Sequence, residues 1–239
     1  MIKSLQWPDV DFRTWVSLTY TALAMVAIYY FGKSNHAMEY FPEQMAQHKE
    51  AAALSFYGML YWILAGVGVY LMVPWLFIYL RGEKLRDYGV RLPSSYGHLW
   101  IYGAMLVIVI IMAYFASFRP SFLKIYPYYQ YFQEEPLFYA MFWAGRCVRF
   151  FALEFFFRGY LLFSLKPKFG DASFFISMVP YCMLHFGKPV PETLFAIVGG
   201  IIFCWIAART KSIWGAVVLH VSLALAMDFF AIAQKLEYI

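Results

Sequence analysis

Charge is scarce in this sequence: 14% of residues are Asp, Glu, Lys or Arg, against 63% apolar and 22% aromatic, with a mean hydropathy of +0.60. A soluble domain carries about a quarter charged residues, and the polar groups left here are too few to coat one. That excludes a separate extramembrane domain and implies a polytopic membrane protein. Cysteine is scarcer still. Cys147, Cys182 and Cys204 lie in apolar segments with no close pairing and no CxxC, so neither a disulfide framework nor a zinc knuckle is indicated. A clustered basic face is also missing. The formal charge is +5, yet the cations stand singly or in small groups between apolar runs, so nucleic acid is not an expected partner. The opening MIKSLQWPDVDFRTW lacks the compact basic segment and adjoining apolar stretch of a signal peptide, so the first apolar run is expected to be a retained helix. Repeats and low-complexity linkers are absent, and residues 1–239 are expected to form one membrane domain.

Long apolar runs are what the sequence has. Runs able to cross about 30 Å of hydrocarbon fall at roughly 14–31, 55–80, 98–118 and 137–164, with shorter ones at roughly 171–186, 193–209 and 212–233. The expected fold is all-α, a bundle of about seven or eight transmembrane helices around an intramembrane polar site. Gly199, Gly200 and Gly215 are expected to let helices approach closely. With loops assigned alternately to two sides, Lys3, Arg13, Arg81, Lys84, Arg86, Arg91, Lys166, Lys168, Arg209 and Lys211 fall on one. Lys33, Lys49, Arg119, Lys124, Lys188 and Lys235 fall on the other. The richer side is read as cytoplasmic, with the N-terminus on it. KIYPYYQYFQEEP is expected to form an aromatic belt at the opposite interface.

A few ionisable residues interrupt these runs. In FALEFFFRGYLLF, Glu154 and Arg158 stand four apart, which stacks them on one helical face with the acid N-terminal, the favourable order for a pair. His185 closes the fifth run, His220 lies within the seventh, and Asp228 follows His220 by two turns on much the same face. A charge at the bilayer centre costs on the order of 2.5–3.5 kcal/mol, so each must face protein or a wet cavity. Glu154 with Arg158 as a structural clamp, and each histidine as an ordinary hydrogen-bonding residue, are the plain alternatives. Arg146 and Arg149 are expected to snorkel to headgroups, or else to line a basic cavity receptive to a substrate's C-terminal carboxylate or a lipid phosphate. His36, His48 and His98 are loop residues with no partner pattern. Carboxylate and imidazole together can deprotonate water. The same Glu154, His185 and His220 would also suit an open zinc site, and the sequence does not separate the two.

EFFFRG (Glu154 to Gly159), YCMLHFGKPVPE (Tyr181 to Glu192) and ARTKSIWGAVVLH (Ala208 to His220) occur in the order and spacing of the CPBP family, the CAAX-protease and bacteriocin-processing, or Abi, intramembrane proteases, which the chain resembles over about 136–230. The resemblance implies a helical membrane hydrolase, of the kind found in a bacterial inner membrane, acting on a peptide or membrane-protein substrate in the lipid bilayer. It implies Glu154 as base, His185 as its partner, Arg158 as orienting cation and His220 as oxyanion donor, with Asp228 and Tyr181 as candidate supports; no cofactor is favoured, and zinc is the possible one. Two positions depart from the family pattern. The first glutamate of the usual pair is Leu153, and the usual asparagine four residues after the last histidine is Ala224. Both favour a rival, a noncatalytic scaffold, immunity factor or partner-binding protein on the same fold. A proton-coupled transporter using Glu154 and Asp228 is a third expectation.

Overall fold

The computed structural model describes residues 10–47, 50–94 and 96–238; Lys3, His48 and Lys49 lie outside the described residues. Seven main helices form among these: α1 Phe12–Phe31, α2 Ala51–Leu80, α3 Leu99–Ser117, α4 beginning Pro136–Glu154, α5 Ala172–Met183, α6 Val190–Thr210 and α7 Trp214–Lys235. Each apolar run of the sequence is one of them. The helix α4 does not end at Glu154: it continues through π-helical Phe155–Leu161 into Leu162–Phe169. Helices α1, α2, α3, α6 and α7 are long and apolar enough to cross a membrane, which makes this an integral membrane protein.

Local chemistry sets the ends. The Asp11 carboxylate caps α1, accepting from the Thr14 N–H at 3.0 Å and its hydroxyl at 2.7 Å. Pro136 opens α4 in the first turn, where no N–H is needed. The π-helical Gly68–Met72 inside α2 loosens the carbonyl ladder, and the Tyr20 hydroxyl donates to the Val69 carbonyl at 2.6 Å. Tyr70 from that segment packs on Phe156 and Phe157 of the α4 π segment.

The middle of α4 is the core. Every residue of Phe155–Leu161 is buried, which is why this stretch is apolar all round rather than amphipathic. Close approach needs Gly159: a Cβ there would stand 2.7 Å from the Tyr88 carbonyl. The loop holding Tyr88 thereby seats against α4. Arg13 joins it, donating to the Phe163 carbonyl at 3.1 Å and pairing with Glu83 at 3.8 Å, while Arg91 donates to the Lys211 carbonyl at 3.0 Å. These cations therefore gather at one end of the bundle, as the loop alternation requires. Burial and the hydrogen bond to Glu83 push the Tyr88 hydroxyl up to about 12, so it stays a neutral donor.

Three expectations change. Gly200 and Gly215 do sit at close approaches, against Met178 with Tyr181 and against Tyr102, but Gly199 faces open space. The tyrosine-rich segment before α4 turns inward instead of forming a belt. Tyr126 and Tyr129 are buried, donating to Glu192 at 3.1 Å and to the Ala52 carbonyl at 3.0 Å. Arg146 and Arg149 do not snorkel either; both are buried. Facing the bundle interior, they find aromatic rings and, for Arg146, an acid, which headgroups would otherwise supply.

Candidate functional site

The cavity lies between α1, α2, α4, the α5–α6 turn and α7, with a volume of about 720 Å³. The helix α4 presents Arg146, Arg149, Phe150 and Leu153 to it, positions spaced three or four apart and so on one face. His185, from the α5–α6 turn, and His220, from α7, complete the polar wall.

Glu154, one position beyond Leu153, points elsewhere. It is fully buried, with its carboxylate 3.2 Å from the Arg158 guanidinium and its Oε1 2.7 Å from Nδ1 of His220. An ionised carboxylate only accepts, so Nδ1 carries the proton and Nε2 of His220 is left as an acceptor. Arg158 is also fully buried; its guanidinium lies 3.9 Å from the centre of the Tyr181 ring and 5.1 Å from that of Phe203. The acid is thus clamped from behind by Arg158 and meets the cavity through one imidazole.

His185 is set by its own turn. Its Nδ1 donates to the Tyr181 carbonyl at 3.1 Å, which again leaves Nε2 free to accept, and the Thr193 hydroxyl donates to the His185 carbonyl at 2.8 Å. Tyr181 therefore touches both halves of the site, its ring on Arg158 and its carbonyl on His185. Sequence reasoning paired Glu154 with His185; the structure instead bonds Glu154 to His220.

Asp228 is not an orienter of His220. It is buried, with Oδ2 2.9 Å from Nη1 of Arg146 and Oδ1 accepting from the Tyr128 N–H at 3.3 Å. Two turns of helix separate it from His220, and Arg146 is the nearer charge. Ala224 lies in an apolar cluster with Phe56, Phe142, Trp143 and Phe150, so the position where the family pattern has asparagine faces rings here. Among the described residues no group of three or more His, Cys, Asp or Glu side chains is placed to hold a metal ion. The trio Glu154, His185 and His220 does not fit zinc as a set: the Glu154 carboxylate is occupied by Arg158 and His220, and the two free histidine Nε2 atoms alone fall short of the three protein ligands of a catalytic zinc.

Sequence reasoning missed Tyr128, Trp62 and Lys188, which also line the cavity. Tyr128 stacks on Trp62 with ring centres 5.5 Å apart, and Lys188 pairs with Glu192 at 2.5 Å. The spacing of Lys188 and Glu192, four apart at the start of α6, was a visible signal; the ring stack joins segments far apart in sequence and left none.

No curated protein and no solved structure matches the chain, but residues 134–226 match the family described as type II CAAX prenyl endopeptidase Rce1-like. That stretch runs from the start of α4 past His220 and holds Glu154, Arg158, His185 and His220. The chain therefore carries an Rce1-like domain of the CAAX protease family over residues 134–226.

Proposed function

We propose that this protein is an intramembrane endopeptidase that hydrolyses a peptide bond in a membrane-associated substrate, with His220 as the base and Glu154 as the residue that positions it. The observation that carries this is the His220 ring, bonded to a buried carboxylate at Nδ1 and facing a wide cavity. A buried acid behind an imidazole fixes its tautomer and stabilises the imidazolium, as in hydrolases that use a carboxylate–histidine pair. Nε2 of His220 takes a proton from a water in the cavity, and the resulting hydroxide adds to the scissile carbonyl. The same proton then passes to the leaving amine. His185, kept neutral because burial and the nearby Lys188 ammonium push it down to about 3, accepts from the same water at Nε2 and holds it for attack.

The remaining topology belongs to the same proposal. The helix α4, although it carries four buried charged residues, and the shorter α5 complete seven crossings. The end bearing Arg13, Arg81 and Lys211 is cytoplasmic by its excess of cations. The cavity then opens at the other face, where α1 and α5 end. Residues 1–239 act as one membrane domain, with 136–230 as its catalytic core.

The test is cleavage of a quenched fluorescent peptide with a prenylated Cys-aliphatic-aliphatic-X terminus by purified protein in proteoliposomes. Wild type cleaves it, and His220→Ala cleaves it only at a residual rate, slower by a factor on the order of 10²–10⁴. A second possibility, a noncatalytic scaffold that binds such a peptide, is favoured by one observation: the cavity wall carries Leu153 where the family has its first glutamate, and Glu154 is fully buried. Saturable peptide binding with no cleavage by wild type would establish that instead.

A further inference from the structure

Arg149 is a buried cation without an acid. It is 6% exposed, its Nε donates to the Trp62 carbonyl at 3.2 Å, and its guanidinium lies 3.6 Å from the centre of the Trp62 ring. No carboxylate pairs with it among the described residues, whereas Arg146 has Asp228 and Lys188 has Glu192. Space has been left for it: a Cβ on Gly66 of α2 would fall 2.5 Å from Nε of Arg149. The cavity that Arg149 lines also holds Lys33, Arg146 and Lys188, and no Asp or Glu side chain. Lys33, at the mouth, lies 3.8 Å from the centre of the Tyr29 ring.

We propose that this cavity binds the phosphate of an anionic phospholipid, with Arg149 as its main contact and Lys33 at the entrance. A guanidinium held away from water and unpaired is costly, and an oxyanion forming charge-assisted hydrogen bonds to its free terminal nitrogens removes that cost. The rest of the wall selects the kind of anion. Met25, Val26, Ile28, Met183 and Phe186 give it an apolar side, of which Val26, Met183 and Phe186 are exposed on the outer surface, where acyl chains would lie. A free phosphate would leave that side unused. A peptide drawn to His185 and His220 would leave the Arg149 guanidinium without an anion unless its own carboxylate reached it. A lipid needs only the cations and the grease. The site goes beyond the peptidase proposal and does not depend on it, because lipid retention is read without any cleavage.

Native mass spectrometry of the full chain in neutral detergent, titrated with dioleoylphosphatidylglycerol, dioleoylphosphatidylcholine or inorganic phosphate, provides the test. The expected result is one phosphatidylglycerol retained per chain, at least tenfold more tightly than phosphatidylcholine, with retention falling at least tenfold in Arg149→Gln. Because Arg149→Gln removes an unpaired buried charge, it should also melt at a higher temperature than lipid-free wild type, and added phosphatidylglycerol should raise the melting temperature of wild type alone. Lys33→Gln, at an exposed position, should weaken retention several-fold with unchanged folding. Equal retention by Arg149→Gln overturns the proposal. So does equal protection of wild type by inorganic phosphate, or protection by a peptide with a free C-terminal carboxylate where phosphatidylglycerol gives none.

Discussion

Nδ1 of His220 lies 2.7 Å from Oε1 of Glu154, so the buried acid acts on the cavity only through the imidazole. Arg158 holds the other side of the same carboxylate, which fixes Glu154 between a permanent cation and a titratable ring. The neighbouring Leu153 occupies the cavity wall itself. One helical step thus separates the face that lines the cavity from the face that meets Arg158.

Glu154→Gln keeps the shape of the side chain but removes the charge that stabilises an imidazolium. Peptide cleavage should fall by about 10²–10⁴, while size-exclusion and circular dichroism profiles match wild type. A rate within twofold of wild type would show that His220 needs no anion behind it.

Arg158→Ala leaves a carboxylate buried with only a histidine for company. A loss on the order of 3–5 kcal/mol is expected, read as a large drop in melting temperature in detergent, with activity lost in parallel. A variant that melts with wild type would mean that Glu154 is neutralised some other way.

Ala224→Asn restores the residue type of the family pattern at that position, yet the site faces Phe142, Trp143 and Phe150. The amide would be buried without partners, costing about 1–3 kcal/mol, and the cleavage rate should not rise. A faster, equally stable variant would place that position at the oxyanion after all.

Asp228→Ala removes both the partner of Arg146 and the acceptor of the Tyr128 N–H. The segment around Tyr128 should then open to limited proteolysis, with a stability loss on the order of 3–5 kcal/mol. Unchanged protection of that segment would show that the tyrosines alone hold it in place.

The helices were legible because each apolar run became one, and five of them are long and apolar enough to cross hydrocarbon. Glu154 and Arg158 were legible as a pair because four residues on a helix are neighbours. What the sequence concealed was the choice among long-range partners. His220 bonds Glu154 rather than standing alone across the cavity, and Asp228 takes Arg146 rather than His220, because such pairings depend on how α7 rotates against α4. The inward fold of Tyr126 and Tyr129 was hidden for a related reason. Tyrosine suits a lipid interface and a buried hydrogen bond equally well, and only the acceptors, Glu192 and the Ala52 carbonyl, decide between them.

The most direct test of the central claim is the peptide cleavage rate of the double variant Glu154→Gln/His220→Ala beside each single variant, all at matched folded yield. If the two residues work as one unit, the double variant is no slower than His220→Ala, since the acid has nothing left to act through. If the two losses multiply, Glu154 contributes to hydrolysis by a route that does not pass through His220, and the account of the site is wrong.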